Sequence, residues 1–558
     1  MEKRSWFFVL VVLLCLFGYC GFAYSSEKLY NGIILPDEWP PNLEKLTLDP
    51  MPVPYLRTPP EVIPIDVGRQ LFVDDFLIEE TTLKRVFHKA KYYEDNPVLK
   101  PDRPWESEGG LGNPCAMPFS DGVWYDPADK LFKMWYMGGY IYHTCLATSK
   151  DGINWDKPQL DVRPGTNIVR PGLNLEYQNV QKNVYRDSGT VWLDLEEPNP
   201  RKRYKMVLRG PVQRHGALEI FYSSDGIHWY SVGRTGLSGD RSTIFYNPFR
   251  KVWVYSLRDY WEPKIEGKLR KFRRYREGTD LVSAMANWKV RTDVGLWFGP
   301  DKNDHKMPGS DYQPSVYNFD AVAYESLMLG LYSIHRIGST DDRPKINEIL
   351  LGFSRDGFHF DRPSYETFIP VGENKNAWNY GNVQSAGGCC LVVGDKLYFY
   401  VSGRVPDSNS DNDVCSTGLA ILRRDGFASV TANSSTGTLT TRPVQFSGKY
   451  MFVNIDAKDG ELRVEALDRD EKVIAPFTKD NCVAIYGDST IAAVKWKGSR
   501  NLSKLTGKAV RFRFYLKRGD LYSFWVSPDK SGASYGYTAA GGPGFTSSKD
   551  TLGTSAYK

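Results

Sequence analysis

Between Arg258 and Glu277 the chain concentrates cationic side chains. Arg258-Asp259-Tyr260-Trp261 is followed by six Lys or Arg between Lys268 and Arg276. Guanidinium forks grip carboxylate, sulfate or phosphate in bidentate fashion, so Arg273, Arg274 and Arg276 are candidate grips for an anionic ligand. A solvated charged loop is the plainer explanation of such a run. A second group is the pairing of acids with arginines, Arg186-Asp187 and Asp240-Arg241. Such neighbours form ion pairs, or they do proton chemistry where burial shifts a pKa. The seven His show no metal-ligand spacing, and no serine-nucleophile elbow, phosphate loop or zinc signature is present. Neither a cofactor nor a resident metal is expected. A net charge of +5 spread over 558 residues argues against nucleic acid as a partner.

The elements that must position these residues are announced by a repeated phrase. It reads Ser149-Lys150-Asp151-Gly152-Ile153-Asn154-Trp155, then Ser223-Ser224-Asp225-Gly226-Ile227-His228-Trp229, then Ser354-Arg355-Asp356-Gly357-Phe358-His359-Phe360. A worn copy follows at Arg423-Arg424-Asp425-Gly426-Phe427. The Asp positions lie 74, 131 and 69 residues apart, so the long gap hides a decayed member at Ser283 to Trp288. Five units of about 69 residues are a repeat architecture. Each unit carries short apolar strands and no helical period, which predicts an all-β fold, a five-bladed β-propeller over residues 66–431. In the phrase, Asp caps a turn, Gly supplies a positive φ and the aromatic residue packs between blades, so its role is structural.

The flanks read differently. Lys3-Arg4, the apolar run Trp6 to Phe17 and small residues near Ala23 predict a signal peptide over residues 1–25, hence a secreted or periplasmic protein. Tyr19 disfavours a lipid anchor at Cys20. Residues 26–65 are Pro-rich and predict an extended arm. Clean alternation in Phe452 to Asp456, Glu461 to Leu467 and Val510 to Leu516 predicts a β-sandwich over 432–527. The Gly/Ser-rich residues 528–558 predict a flexible tail. Cys115 and Cys145 fall in one repeat and are the expected couple if any disulfide forms, with buried thiols as the alternative.

The five blades, the Asp-Gly turns and the terminal sandwich resemble the five-bladed β-propeller glycoside hydrolases of families 32 and 43. The resemblance covers residues 66–527 and implies a carbohydrate substrate and carboxylate chemistry at the starts of the innermost strands. Arg186-Asp187-Ser188 is similar to the family 32 Arg-Asp-Pro motif, which implies that Asp187 stabilises the transition state and Arg186 lines the site. Gly239-Asp240-Arg241-Ser242 stands where that family has Glu-Cys, implying Asp240 as general acid with Arg241 beside it. Gly112-Asn113-Pro114 stands where the family has Asn-Asp-Pro. The nucleophilic Asp is absent there, and Asn113 remains as a hydroxyl ligand. Glu106 or Glu108 just upstream, or Asp311 in Ser310-Asp311-Tyr312-Gln313, are the alternatives for base or nucleophile, with Gln313 as a contact. Asn382 and Gln384 suit hydroxyl binding. A carbohydrate-binding propeller without catalysis and a lyase acting on a uronate are the rival functions.

Overall fold

The structure, a computed structural model, describes residues 26–109, 113–172, 186–209, 216–260, 271–285, 288–338, 343, 345–405 and 414–557. The leader with Cys20, and Gly112, Tyr185, Trp261, Lys268, Arg270, Ala286 and Asn287 lie outside the described residues. The architecture is all-β. Among the described residues no helix is long and apolar enough to cross a membrane.

Three four-stranded antiparallel meanders follow one another. Meander one comprises Ala116–Asp126, Leu131–Gly138, His143–Ser149 and Ile168–Arg170. Meander two comprises Gly189–Leu193, Tyr204–Arg209, Ala217–Ser223 and Tyr230–Leu237. Meander three comprises Thr243–Asn247, Val252–Asp259, Phe272–Gly278 and Gly295–Phe298. Meander four is Ser315–Glu325, Leu327–Ile337 and Lys345–Ser354. Meander five is Asn382–Ser385, Lys396–Val405 and Val414–Arg423, joined to meander four by a parallel pairing of Asn347 with Asn382. The first strand of each meander touches the first strand of the next, and that of meander five returns to meander one. These strands are buried on both faces, which is why they read as continuous apolar runs. The outermost strand of meander five is Lys91–Tyr92, from ahead of meander one, so the two ends of the ring segment meet at the closure.

The Asp-Gly phrases do what turn chemistry requires. Asp151 Oδ1 accepts from the backbone N–H groups of Ile153 and Asn154, both at 2.8 Å, while Ser149 Oγ accepts from Gly152 at 2.9 Å. Gly152, Gly226 and Gly357 have φ of 76°, 80° and 87°. Each turn is also a fastening point between meanders. Tyr400 donates to the Gly152 carbonyl at 2.6 Å, Trp135 Nε1 to that of Gly226 at 2.8 Å, and Trp297 Nε1 to that of Phe358 at 2.8 Å.

A second, nine-stranded sheet has its own apolar core around Phe72, Phe446, Phe512, Phe514 and Phe524. Its strands come from both sides of the ring in sequence. Gln70–Leu71, Ile78–Thr81 and Lys84–Phe87 join Ala428–Ala432, Gly437–Thr441, Tyr450–Leu467, Ile485–Ala493, Arg511–Lys517 and Gly519–Ser527. Residues 70–87, expected at the start of the ring, therefore belong to this unit. The arm at 26–65 lies across both units. Asn31 donates to the Arg355 carbonyl at 2.8 Å, and Ile63–Pro64 pairs with Val444–Gln445.

The segment after 528 is packed rather than loose. Tyr537–Thr538 pairs with Tyr324–Glu325, Tyr125 donates its N–H to the Ala540 carbonyl at 3.0 Å, and Asp550 is fully buried against Arg424. Gly and Ser there serve close approach, not freedom. Cys145 does not meet Cys115. Cys115 instead pairs across a ladder bridge with Cys415, and the six cysteines of the described residues are buried thiols.

Candidate active site

Each meander contributes its first strand to the succession of contacts that closes the ring. Phe119, Asp187, Asp240 and Asn318 each stand seven residues before the residue that ends or follows that strand, Asp126, Asp194, Asn247 and Glu325. The structure thus gives Asp187 and Asp240 the same offset on adjacent meanders. Both keep an open face, with side chains 17% and 27% exposed. Each lies against an arginine from the second strand of its own meander. Arg209 is 3.9 Å from Asp187, and Arg258 is in direct contact with Asp240. Burial lowers the Arg258 pKa, and the charges of Tyr317 and Asp187 oppose that shift. Arg258 rests 5.0 Å from the ring centre of Tyr260 and 5.4 Å from that of Tyr317. Tyr317 stacks on His335 at 5.4 Å.

The floor beneath is cationic and locked. Arg241 is fully buried and adopts φ 57°, a strained conformation for a non-glycine residue. It donates to the Phe119 carbonyl at 2.7 Å and to Ser120 Oγ at 3.0 Å, with its guanidinium 3.6 Å from the Phe119 ring centre. Phe119 and Ser120 share positive φ, 42° and 70°, where the first strand of meander one loses register with the second. Arg404 donates to Tyr140 OH at 2.8 Å and sits 5.0 Å from the centre of the same Phe119 ring.

Two further acids are buried here. Asp121 is tied to Arg186, which also donates to Thr144 at 2.7 Å. Burial outweighs Arg186 and pushes the Asp121 carboxyl up to about 6. Burial likewise raises Asp320, which accepts from Ser120 Oγ at 3.1 Å and from Asn318 Nδ2 at 2.9 Å.

The remaining residues named from sequence are distributed as follows. Arg273 lies under the site, fastening the carbonyls of Arg241 and Tyr317 at 2.9 and 3.1 Å. Arg274 bonds Asp259 and the Val294 carbonyl, and Arg276 bonds the Ala284 carbonyl. The three belong to one strand rather than a rim loop, so alternation sends their side chains to different faces. Glu108 accepts from Arg163 and meets His143 at 3.0 Å on the third strand of meander one, apart from the Asp187 cluster. Glu106 is fully buried and satisfied by Lys157, Tyr136 and backbone N–H groups. Asp311 is exposed and precedes its strand, and Gln313 donates to the Asp301 carbonyl at 3.2 Å. Asn382 and Gln384 are buried and bonded to each other at 2.8 Å, and Asn113 is buried with its carbonyl engaged by Tyr140 N–H. Sequence reasoning missed Arg209, Arg404, Tyr140, Tyr317, Asp121 and Asp320, and named Arg258 only as the start of the cationic segment. Arg209, Arg258 and Arg404 carried a signal: each stands last or next to last in the second strand of its meander.

No family model and no curated protein matches the chain. Solved structures do show distant likeness. One, described under the GH130 family of mannoside phosphorylases as containing glycoside hydrolases that target β-1,2-mannosidic linkages in Candida mannan, aligns at TM-score 0.39. It is 14% identical over 63% of this chain and 96% of that chain. A fructofuranosidase from Schwanniomyces occidentalis aligns at 0.33, with 11% identity over 79% and 98%. An exo-β-1,3-galactanase from Phanerochaete chrysosporium aligns at 0.32, with 9% identity over 79% and 99%. At these values no residue role is carried across.

Proposed function

We propose that the five meanders are the blades of a β-propeller with an appended β-sandwich, exported behind a cleaved leader. Its central funnel then hydrolyses a glycosidic bond of a poly- or oligosaccharide. The observation that carries this is the pair Asp187 and Asp240: partly open carboxylates at one offset on neighbouring strands. Glycoside hydrolysis needs a carboxyl group on each side of the scissile bond. Asp240 is the more open of the two and serves as acid toward the leaving oxygen. Arg258 releases it when substrate displaces their contact. Asp187, braced by Arg209, serves as the opposing carboxylate. Glu108 and Asp311 have no part in this scheme, because neither is among the residues around Asp187.

The ion pairing of both acids favours a second reading, a carbohydrate-binding propeller without catalysis, since a carboxylate held by an arginine is a poor proton donor. Turnover by Asp240→Asn and Asp187→Asn on a panel of oligosaccharides separates the two. Hydrolysis by the parent chain that falls by about 10²–10⁴ in either variant supports catalysis. Binding without hydrolysis in all three supports the rival.

A further inference from the structure

Charge does not balance around the funnel floor. Asp121 is used by Arg186, Asp187 by Arg209 and Asp240 by Arg258. Among the described residues, Arg241 and Arg404 have no carboxylate within ion-pair distance. Their partners are a carbonyl, a serine and a tyrosine. Arg273 beneath them is likewise spent on hydroxyl and carbonyl oxygens. The one remaining acid, Asp320, is bonded to hydroxyl and amide groups, and its burial favours the uncharged form. The Nε groups of Arg241 and Arg404 are buried and have no partner. A buried guanidinium without counter-charge is costly, and neutral dipoles offset only part of that cost.

The arrangement is also built rather than incidental. Arg241 and Arg404 both lie against one ring, Phe119, at 3.6 and 5.0 Å from its centre. Cation–π contact orients both forks without using their N–H groups. The backbone at Phe119, Ser120 and Arg241 stays in the left-handed region to achieve this, a cost that persists at functional sites.

We infer that Arg404, half-buried and backed by the buried charge of Arg241, forms an oxyanion-binding site in the funnel floor, and that the glycan's own carboxylate or sulfate group fills it. This rests on the carbohydrate reading above and names its substrate class: an acidic glycan, with Asp187 and Asp240 placed beside the anchored unit. The positions differ from those suggested by the cationic run, because Arg274 and Arg276 are engaged elsewhere.

The test is binding to the full chain of oligosaccharides matched in length but uronate-bearing, sulfated or neutral, by calorimetry at two salt concentrations. Free glucuronate and inorganic sulfate provide further arms. The expected result is salt-sensitive binding of one acidic series, at least about tenfold tighter than the neutral one. That preference should vanish in Arg404→Gln, a partly buried position, while the unfolding temperature is kept. Arg404→Lys should restore part of it. Free sulfate or glucuronate bound in an Arg404-dependent way, with no glycan bound, would uphold the oxyanion site and remove the carbohydrate reading. Neutral glycans bound as well as acidic ones, or an acidic preference unchanged in Arg404→Gln, would overturn the site and leave the carbohydrate reading standing.

Discussion

Arg424→Met should be among the most destabilising single changes in this protein. The worn Asp-Gly copy, Arg424-Asp425, is where the ring, the second sheet and the C-terminal segment are tied. Arg424 donates to Glu325 and to Asp550, both at 3.0 Å, and Arg69 donates to Asp425 at 3.0 Å. All five side chains are completely buried. Met preserves most of the volume but leaves one cation against three acids. Breaking a buried pair from one side costs about 3–5 kcal/mol. The deficit should depend on pH in a definite direction. In the parent, burial would raise Asp425, but Arg69 and Arg424 hold it down at about 2. Burial would also raise Asp550, and Arg424 and Arg69 hold it below the usual range. Depressed acids contribute stability above their unfolded pKa of about 3.9, and that contribution is lost as pH falls through the folded value. In the variant, burial is less opposed and both pKa values rise. Raised acids stabilise least at neutral pH and recover as pH falls. The gap between parent and variant is therefore widest at pH 7 and narrows toward pH 4. Urea unfolding across that range, with limited proteolysis of residues 528–557, reads both effects. A variant within about 1 kcal/mol of the parent at pH 7, or a gap that widens in acid, would refute the reasoning.

Further outcomes follow from other contacts. Gly357→Ala places a Cβ 2.1 Å from Asn247 Nδ2 at a φ of 87°, and should lower stability by about 1–3 kcal/mol in chemical denaturation. Tyr400→Phe removes the 2.6 Å bond to the Gly152 carbonyl, leaves a buried acceptor unpaired, and should cost about 1–3 kcal/mol in the same assay. Truncation after Ser527 strips the strand paired with Tyr324–Glu325 and the partner of Arg424, and should yield aggregated or protease-sensitive protein where a loose tail would be dispensable.

The strand grammar and the turn phrase were legible because both are local. Asp151 bonding to its own next residues needs no knowledge of the rest of the chain. What was not legible depends on distant partners. Residues 70–87 fall inside the range 66–431 expected for the ring, but a strand's composition does not say which sheet it joins, and these residues pair with strands between Ala428 and Ser527 instead. Composition called 528–558 loose, yet Phe545, Thr538 and Asp550 are buried through contacts with residues far away in sequence. At the site, Asp187 and Asp240 were legible as acids beside an arginine and through the motif resemblance. Their arginine partners, Arg209 and Arg258, were not legible as partners because each lies near the end of the second strand and meets its acid only through the folded meander. The cationic run drew attention for its density. A strand's alternation then dispersed it, leaving Arg273 as a prop beneath the floor.

The most direct test of the account is hydrolysis of an acidic oligosaccharide by the parent chain, Asp187→Asn and Asp240→Asn under identical conditions, with folding checked by unfolding temperature. The account predicts turnover by the parent and a loss of about 10²-fold or more in each variant with the fold intact. Turnover undiminished in either variant, or its absence in the parent across neutral and acidic substrates, would contradict it.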